Sequence, residues 1–97
     1  MTKLVKDDHE RNRFEITVDG TLAGFAEYHL RQDGRTVVFT HTEVLPEFEG
    51  QGIGSALARG ALDDVRAGDR GVVPLCPFIK GWIDKHPDYQ DLVVRPA

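Results

Sequence analysis

The strongest constraint on how this chain folds is a change of pattern between residues 36 and 62. A β-branched run from Thr36 to Val44, TVVFTHTEV, gives way to a short loop in which Gly50, Gly52 and Gly54 alternate with Gln51 and Ile53, and a helical pattern follows at once. Without Cβ atoms at these alternating positions, the backbone turns sharply and a ligand can approach it closely. A helix starting there offers unpaired N–H groups and the positive end of its dipole. Loop and first turn together form a cradle for a diphosphate that needs no Lys or Arg.

The rest of the chain arranges itself around this strand, turn and helix. Upstream, Phe14, Ile16 and Val18 alternate with Arg13, Glu15 and Thr17, the period of a half-buried strand. Asp19-Gly20 supplies the positive φ angles of a tight hairpin turn, and a second strand runs from Thr21 to Leu30. Gln32-Asp33-Gly34 turns the chain into the Thr36–Val44 strand. Downstream, Ile53, Leu57, Ala58, Ala61, Leu62 and Val65 fall at helical spacing, and Gly68 is a natural stop. Gly71 to Leu75 then reads as a short strand which, after a crossover helix, lies parallel to the one ending at Val44. Pro74 and Pro77 bracket Cys76, and proline cannot donate to a ladder, so pairing should fail there and the two strands should part. A short helix over Lys80–Lys85, halted at His86-Pro87, precedes a tail in which Leu92 to Val94 could add an edge strand. The fold class is therefore α+β: antiparallel N-terminal strands leading into one βαβ unit with a splayed parallel strand pair, then a short C-terminal helix.

Composition limits the functions available. At 97 residues and 40% hydrophobic, residues 1–97 read as one compact domain with one modest core. Residues 1–12 are charged and aperiodic and read as a frayed start or an edge segment pinned by Leu4 and Val5. The net charge is −4 and the basic residues are scattered, so no nucleic-acid partner is expected. The lone Cys76 and scattered histidines make no zinc pattern, and no metal is expected. No apolar run is long enough to span a membrane, so a cytoplasmic, reducing setting is the expectation.

The succession of Val44–Leu57, VLPEFEGQGIGSAL, a helix, and then Pro74-Leu75-Cys76-Pro77-Phe78 resembles the GCN5-related N-acetyltransferase superfamily. Within it the chain is similar to a small subgroup of about hundred-residue members with His41-Thr42-Glu43-Val44 before the loop, a P-x-C-x-F segment after the helix, and a closing segment here spanning Trp82 to Tyr89. The resemblance implies acetyl-coenzyme A as donor and co-substrate, its pyrophosphate on the loop and its pantetheine arm between the parting strands. It assigns cofactor binding to Gly50, Gln51, Gly52, Ile53, Gly54 and Ser55, and to the backbones of Val44 and Leu45. The superfamily loop usually begins with Gln or Arg, where this chain has Glu49, so binding is expected to rest on backbone amides.

Acetyl transfer from a thioester to an amine needs a neutral amine and an acid for the leaving thiolate. Cys76, where the strands diverge, reads as an acetyl relay nucleophile, as that acid, or as a small buried hydrophobe; the relay needs a thiolate, helped by a neighbour such as His41. His41 and Glu43 are two apart on one strand and share a face, with Phe39 before them, and either is a candidate base. His86 and Tyr89 follow the last helix, and Tyr89 is a further candidate acid. The function that results is an N-acetyltransferase acting on a primary amine, a protein lysine or N-terminus among the possibilities. The alternative is a coenzyme A-binding module, sensor or accessory subunit, with little transferase activity.

Overall fold

The computed structural model describes residues 2–94. Five strands form one sheet in sequence order: β1 (Lys3–Asp8), β2 (Arg13–Val18), β3 (Thr21–Arg31), β4 (Thr36–Val44) and β5 (Gly71–Pro74). The first four pair antiparallel and β5 joins β4 in parallel, as the crossover requires. Asp19 and Gly20 adopt φ of 49° and 86°, the positive pair expected of the hairpin. Helix α1 (Ile53–Ala67) lies across one face of the sheet, and α2 (Pro77–Lys85) packs beside it, followed by a 3₁₀ segment, Pro87–Leu92. Phe14, Ile16, Ala26, Phe39, Leu57, Leu62, Ile79 and Ile83 belong to one buried cluster between sheet and helices. Among the described residues, no helix covers the other face.

Several boundaries differ from the sequence expectation. The N-terminal segment, read as a frayed start or an edge segment, is an edge strand over Lys3–Asp8, paired with β2 along its whole length. What holds it is distant in sequence. Val5 fits over Gly60 of α1, where an added Cβ would sit 2.6 Å from the Val5 methyl, and Asp7 accepts a 2.6 Å hydrogen bond from the Tyr28 hydroxyl. Helix α2 begins three residues earlier than Lys80, because Pro77 takes the first helical position, where its missing N–H costs nothing. The edge strand expected at Leu92 to Val94 shrinks to a single parallel bridge, Val72 with Val93.

Two bulges decide which side chains face the helices. In β3 the extra residue is Ala23, since Ile16 pairs with Gly24 but Thr17 with Leu22. Leu22 therefore turns to the opposite face from Gly24, Ala26 and Tyr28, although simple alternation would group all four. In β4 the extra residue is Thr40, between Phe39 opposite Tyr28 and His41 opposite Glu27. Phe39 is fully buried under the helices, whereas His41 and Glu43 are exposed on the uncovered face. The expectation that Phe39 shares their face fails on that one inserted residue.

Candidate functional site

The parallel pair separates where the prolines lie. Phe39 pairs with Pro74 as the last rung, and the Phe39 carbonyl then accepts from both Leu75 N (3.0 Å) and Cys76 N (2.9 Å) as the chain swings away into α2. Strand β4 continues to Val44 with β3 as its partner, leaving a gap on the side β5 has vacated. Backbone groups alternate along a strand, so the edge each residue offers can be worked out from one known bond. Leu45 N donates to Ala23 O at 2.8 Å, and Leu45 O accepts from Phe48 N at 2.9 Å. Leu45 is thus fully engaged and is not the free edge that the sequence assigned to it. Thr42 and Val44 turn their N–H and C=O groups into the gap instead.

The glycine loop lies at the same end of the sheet. A 3₁₀ turn, Pro46–Phe48, leads into it. Gly52 is the N-cap of α1 in the left-handed region, φ 73°, and the first helical bond runs from Ala56 N to Gly52 O at 3.1 Å. The N–H groups of Ile53, Gly54 and Ser55 therefore lack helical acceptors. No side chain caps them and no carboxylate stands in the first turn, so the helix end is open to an anion. Gly54 lies beneath the Phe78 ring: an added Cβ would sit 2.8 Å from the ring tip and displace that half-exposed side chain. The Ser55 hydroxyl accepts a 2.9 Å hydrogen bond from Trp82 Nε1, which orients it and leaves its own proton free to donate. Glu49 is exposed and points its charge to water. Lys3, which sequence reasoning passed over, reaches in from β1 and donates from Nζ to the Gln51 carbonyl at 2.9 Å.

The three candidate chemical groups are not brought together. Cys76 is 3% exposed, caps α2, and lies 3.2 Å from the Thr42 hydroxyl on the helix side of the sheet. His41 precedes Thr42 and so projects from the other face, where its ring lies 6.4 Å from that of Phe25. Arg13 stacks over Phe25 at 4.4 Å and pairs with Glu15 at 2.8 Å on that same face. His41 is therefore no partner for the Cys76 thiol, and the cysteine's actual neighbour, Thr42, was hidden by the bulge that sets its direction. The gap between β4 and the departing chain is the passage that separates the two sets.

Tyr89 belongs to a different structure. Its hydroxyl donates to Asp63 at 2.7 Å and accepts from Arg59 at 3.3 Å, and Arg66 holds Asp91 at 2.9 Å and the Asp88 carbonyl at 2.8 Å. This clasp ties the 3₁₀ segment to the middle of α1. The Asp63 hydrogen bond, then burial, raise the phenol above its ordinary value, and both hydrogen bonds of its hydroxyl go to side chains of α1. His86 stacks on Trp82 at 3.8 Å and, through Nδ1, binds the Trp82 carbonyl at 2.7 Å. A cleft of about 220 Å³ lined by Pro77, Phe78, Gly81, Trp82 and Lys85 opens beside the start of α1. A larger hollow, about 360 Å³, lies at the β1–β2 hairpin, but it is remote from the gap, and its Asp8 and Glu15 are paired with Arg11 and Arg13.

Comparison with known proteins gives a consistent pattern. Residues 13–92 match the family described as GCN5-related N-acetyl-transferase. Protein NATD1 of Xenopus tropicalis and of Mus musculus are each 29% identical over 83 residues, covering 86% of this chain and 76% of theirs. The solution structure of a GCN5-like protein from Staphylococcus aureus superposes with a TM-score of 0.69 at 23% identity, covering 97% of this chain and 90% of that one. A ribosomal-protein-alanine N-acetyltransferase from Brucella melitensis superposes with a TM-score of 0.58, also at 23% identity, over 88% of this chain and 62% of that one. At such identities the superpositions speak to the fold.

Proposed function

The chain belongs to the GCN5-related N-acetyltransferase family, and from that premise we propose that it transfers the acetyl group of acetyl-coenzyme A to a primary amine. The observation that carries this reading is the parting of β4 from β5 at Phe39, at the same end of the sheet as the uncapped first turn of α1. A diphosphate fits the turn through the N–H groups of Gln51 to Ser55, and a pantetheine arm fits the gap against the backbone of Thr42 and Val44.

The two faces of the sheet divide the chemistry. On the uncovered face, His41 or Glu43 accepts the proton of the attacking amine. The N–C bond forms, the C–S bond breaks, and on the helix side Cys76 gives its proton to the departing thiolate and regains one from solvent. His41, the neighbour considered for a cysteine relay, lies on the other face, which favours the acid over the relay. Cys76, at the N-cap of α2 and 3.2 Å from the Thr42 hydroxyl, stands on the helix side of the gap, where the departing thiolate would lie. An open acceptor face suits a protruding amine such as a protein lysine or N-terminus. A reducing, cytoplasmic setting would keep the thiol free.

The test is turnover: purified protein, acetyl-coenzyme A, a panel of amines and basic proteins, with released thiol and intact masses followed together. Acetylated acceptor with stoichiometric thiol supports the reading. Tight coenzyme binding with no acceptor acetylated in any arm overturns it in favour of a coenzyme A-binding module.

A further inference from the structure

The glycine loop has an electrostatic deficit. Between His41 and Arg59 the sequence holds no Lys, Arg or His, while Glu47 and Glu49 both lie in the loop. Backbone dipoles alone would then have to hold a diphosphate against two nearby carboxylates, each of them exposed and partly screened. Arg59 cannot correct this, since its guanidinium lies over Trp82 and Tyr89 and bonds the Tyr89 hydroxyl.

The geometry points to Lys3 as the cation of the diphosphate site, delivered from the far edge strand in place of a basic residue within the loop. Three observations place it there. Its Nζ donates to Gln51 O at 2.9 Å, and a Cβ built on Gly52, the N-cap of α1, would lie 3.8 Å from it. Strand β1, which carries it, is locked to the helix by Val5 over Gly60, so the lysine stem starts from a fixed point. The ammonium has three donors, and the Gln51 carbonyl uses one, which leaves two for phosphate oxygens. An edge strand that looks dispensable in sequence thus becomes part of the donor site. The assignment rests on the acetyl-coenzyme A reading above.

Calorimetric titration of the full chain with coenzyme A and with dephospho-coenzyme A, at low and at physiological salt, tests it. Lys3→Met keeps the stem and removes the charge; it is expected to weaken both ligands about five- to tenfold at low salt, in the range of one exposed charge-assisted contact. Lys3→Arg should stay within about twofold of wild type, and the Met variant should lose part of the salt dependence of its affinity. A role confined to bracing the loop would weaken binding equally at all salts and would not be rescued by arginine; that result overturns the assignment. So does unchanged affinity in Lys3→Met. A loss seen with coenzyme A but not with dephospho-coenzyme A moves the contact to the 3′-phosphate and also overturns it. If wild-type protein binds neither ligand, the cofactor reading itself falls, and this assignment falls with it.

Discussion

Cys76 shows how much a single residue's meaning depends on its immediate partners. A buried free cysteine is ordinarily a small hydrophobe, and this one is 3% exposed within the main cluster. Its position sets it apart: the last backbone bond of the parallel pair goes to its own N–H, its sulfur lies 3.2 Å from a hydroxyl, and it caps a helix. Cys76→Ala is expected to lower kcat by about a hundredfold or more, the lower range for loss of a positioned acid, with coenzyme A affinity little changed. Steady-state rates and calorimetry on the same preparation check both halves. Incubation of wild type with acetyl-coenzyme A alone should leave the protein mass unaltered. A stable added acetyl on Cys76 would instead establish the relay.

At the scale of elements, β1 and α1 depend on one another through a glycine. Helix propensity alone would make Gly60→Ala stabilising by about 1 kcal/mol. The added methyl would, however, meet Val5 at 2.6 Å. Overpacking of that kind costs about 1–3 kcal/mol, so the variant should be destabilised by up to about 2 kcal/mol, and urea denaturation gives the sign. A stabilised variant would mean that β1 yields easily. The same contact explains why β1 was not legible in the sequence: KLVKDD has two adjacent apolar residues and no alternation, and its anchors, Gly60, Tyr28 and Gln51, are supplied by distant segments. Strands β2 to β5 and helix α1 were legible because each carries its own period and its own turn or stop residue. In the site, the glycine loop could be read for the same reason. The separation of His41 from Cys76 could not, because nothing in TVVFTHTEV marks Thr40 as the inserted residue.

At the scale of the whole molecule, the charge network limits stability at high pH. Burial, reinforced by the hydrogen bond to Asp7, holds the Tyr28 phenol well above its ordinary value of 10. The folded state therefore favours the protonated form. The resulting stability is fully present below pH 10 and falls as pH rises above it, because the unfolded chain then loses a proton that the folded chain keeps. One such group contributes a slope of about 1.4 kcal/mol per pH unit. Tyr28→Phe should be less stable at neutral pH, having stranded Asp7, yet lose stability less steeply above pH 10. Denaturation curves across that range, with phenolate absorbance to follow ionisation, provide the measurement; equal slopes in the two proteins would remove Tyr28 from the account.

The extra residue at Thr40 works as a change of parity within one strand. Before it, odd-numbered side chains such as Val37 and Phe39 face the helices; after it, even-numbered ones such as Thr42 and Val44 do. The first half of β4 can thus be written for the core and the second half for chemistry, with neither constraining the other. Were Thr40 paired in plain alternation instead of bulged, His41 and Glu43 would turn under the helices and Thr42 would lift away from Cys76, reversing the two sides of the passage without altering a single functional residue.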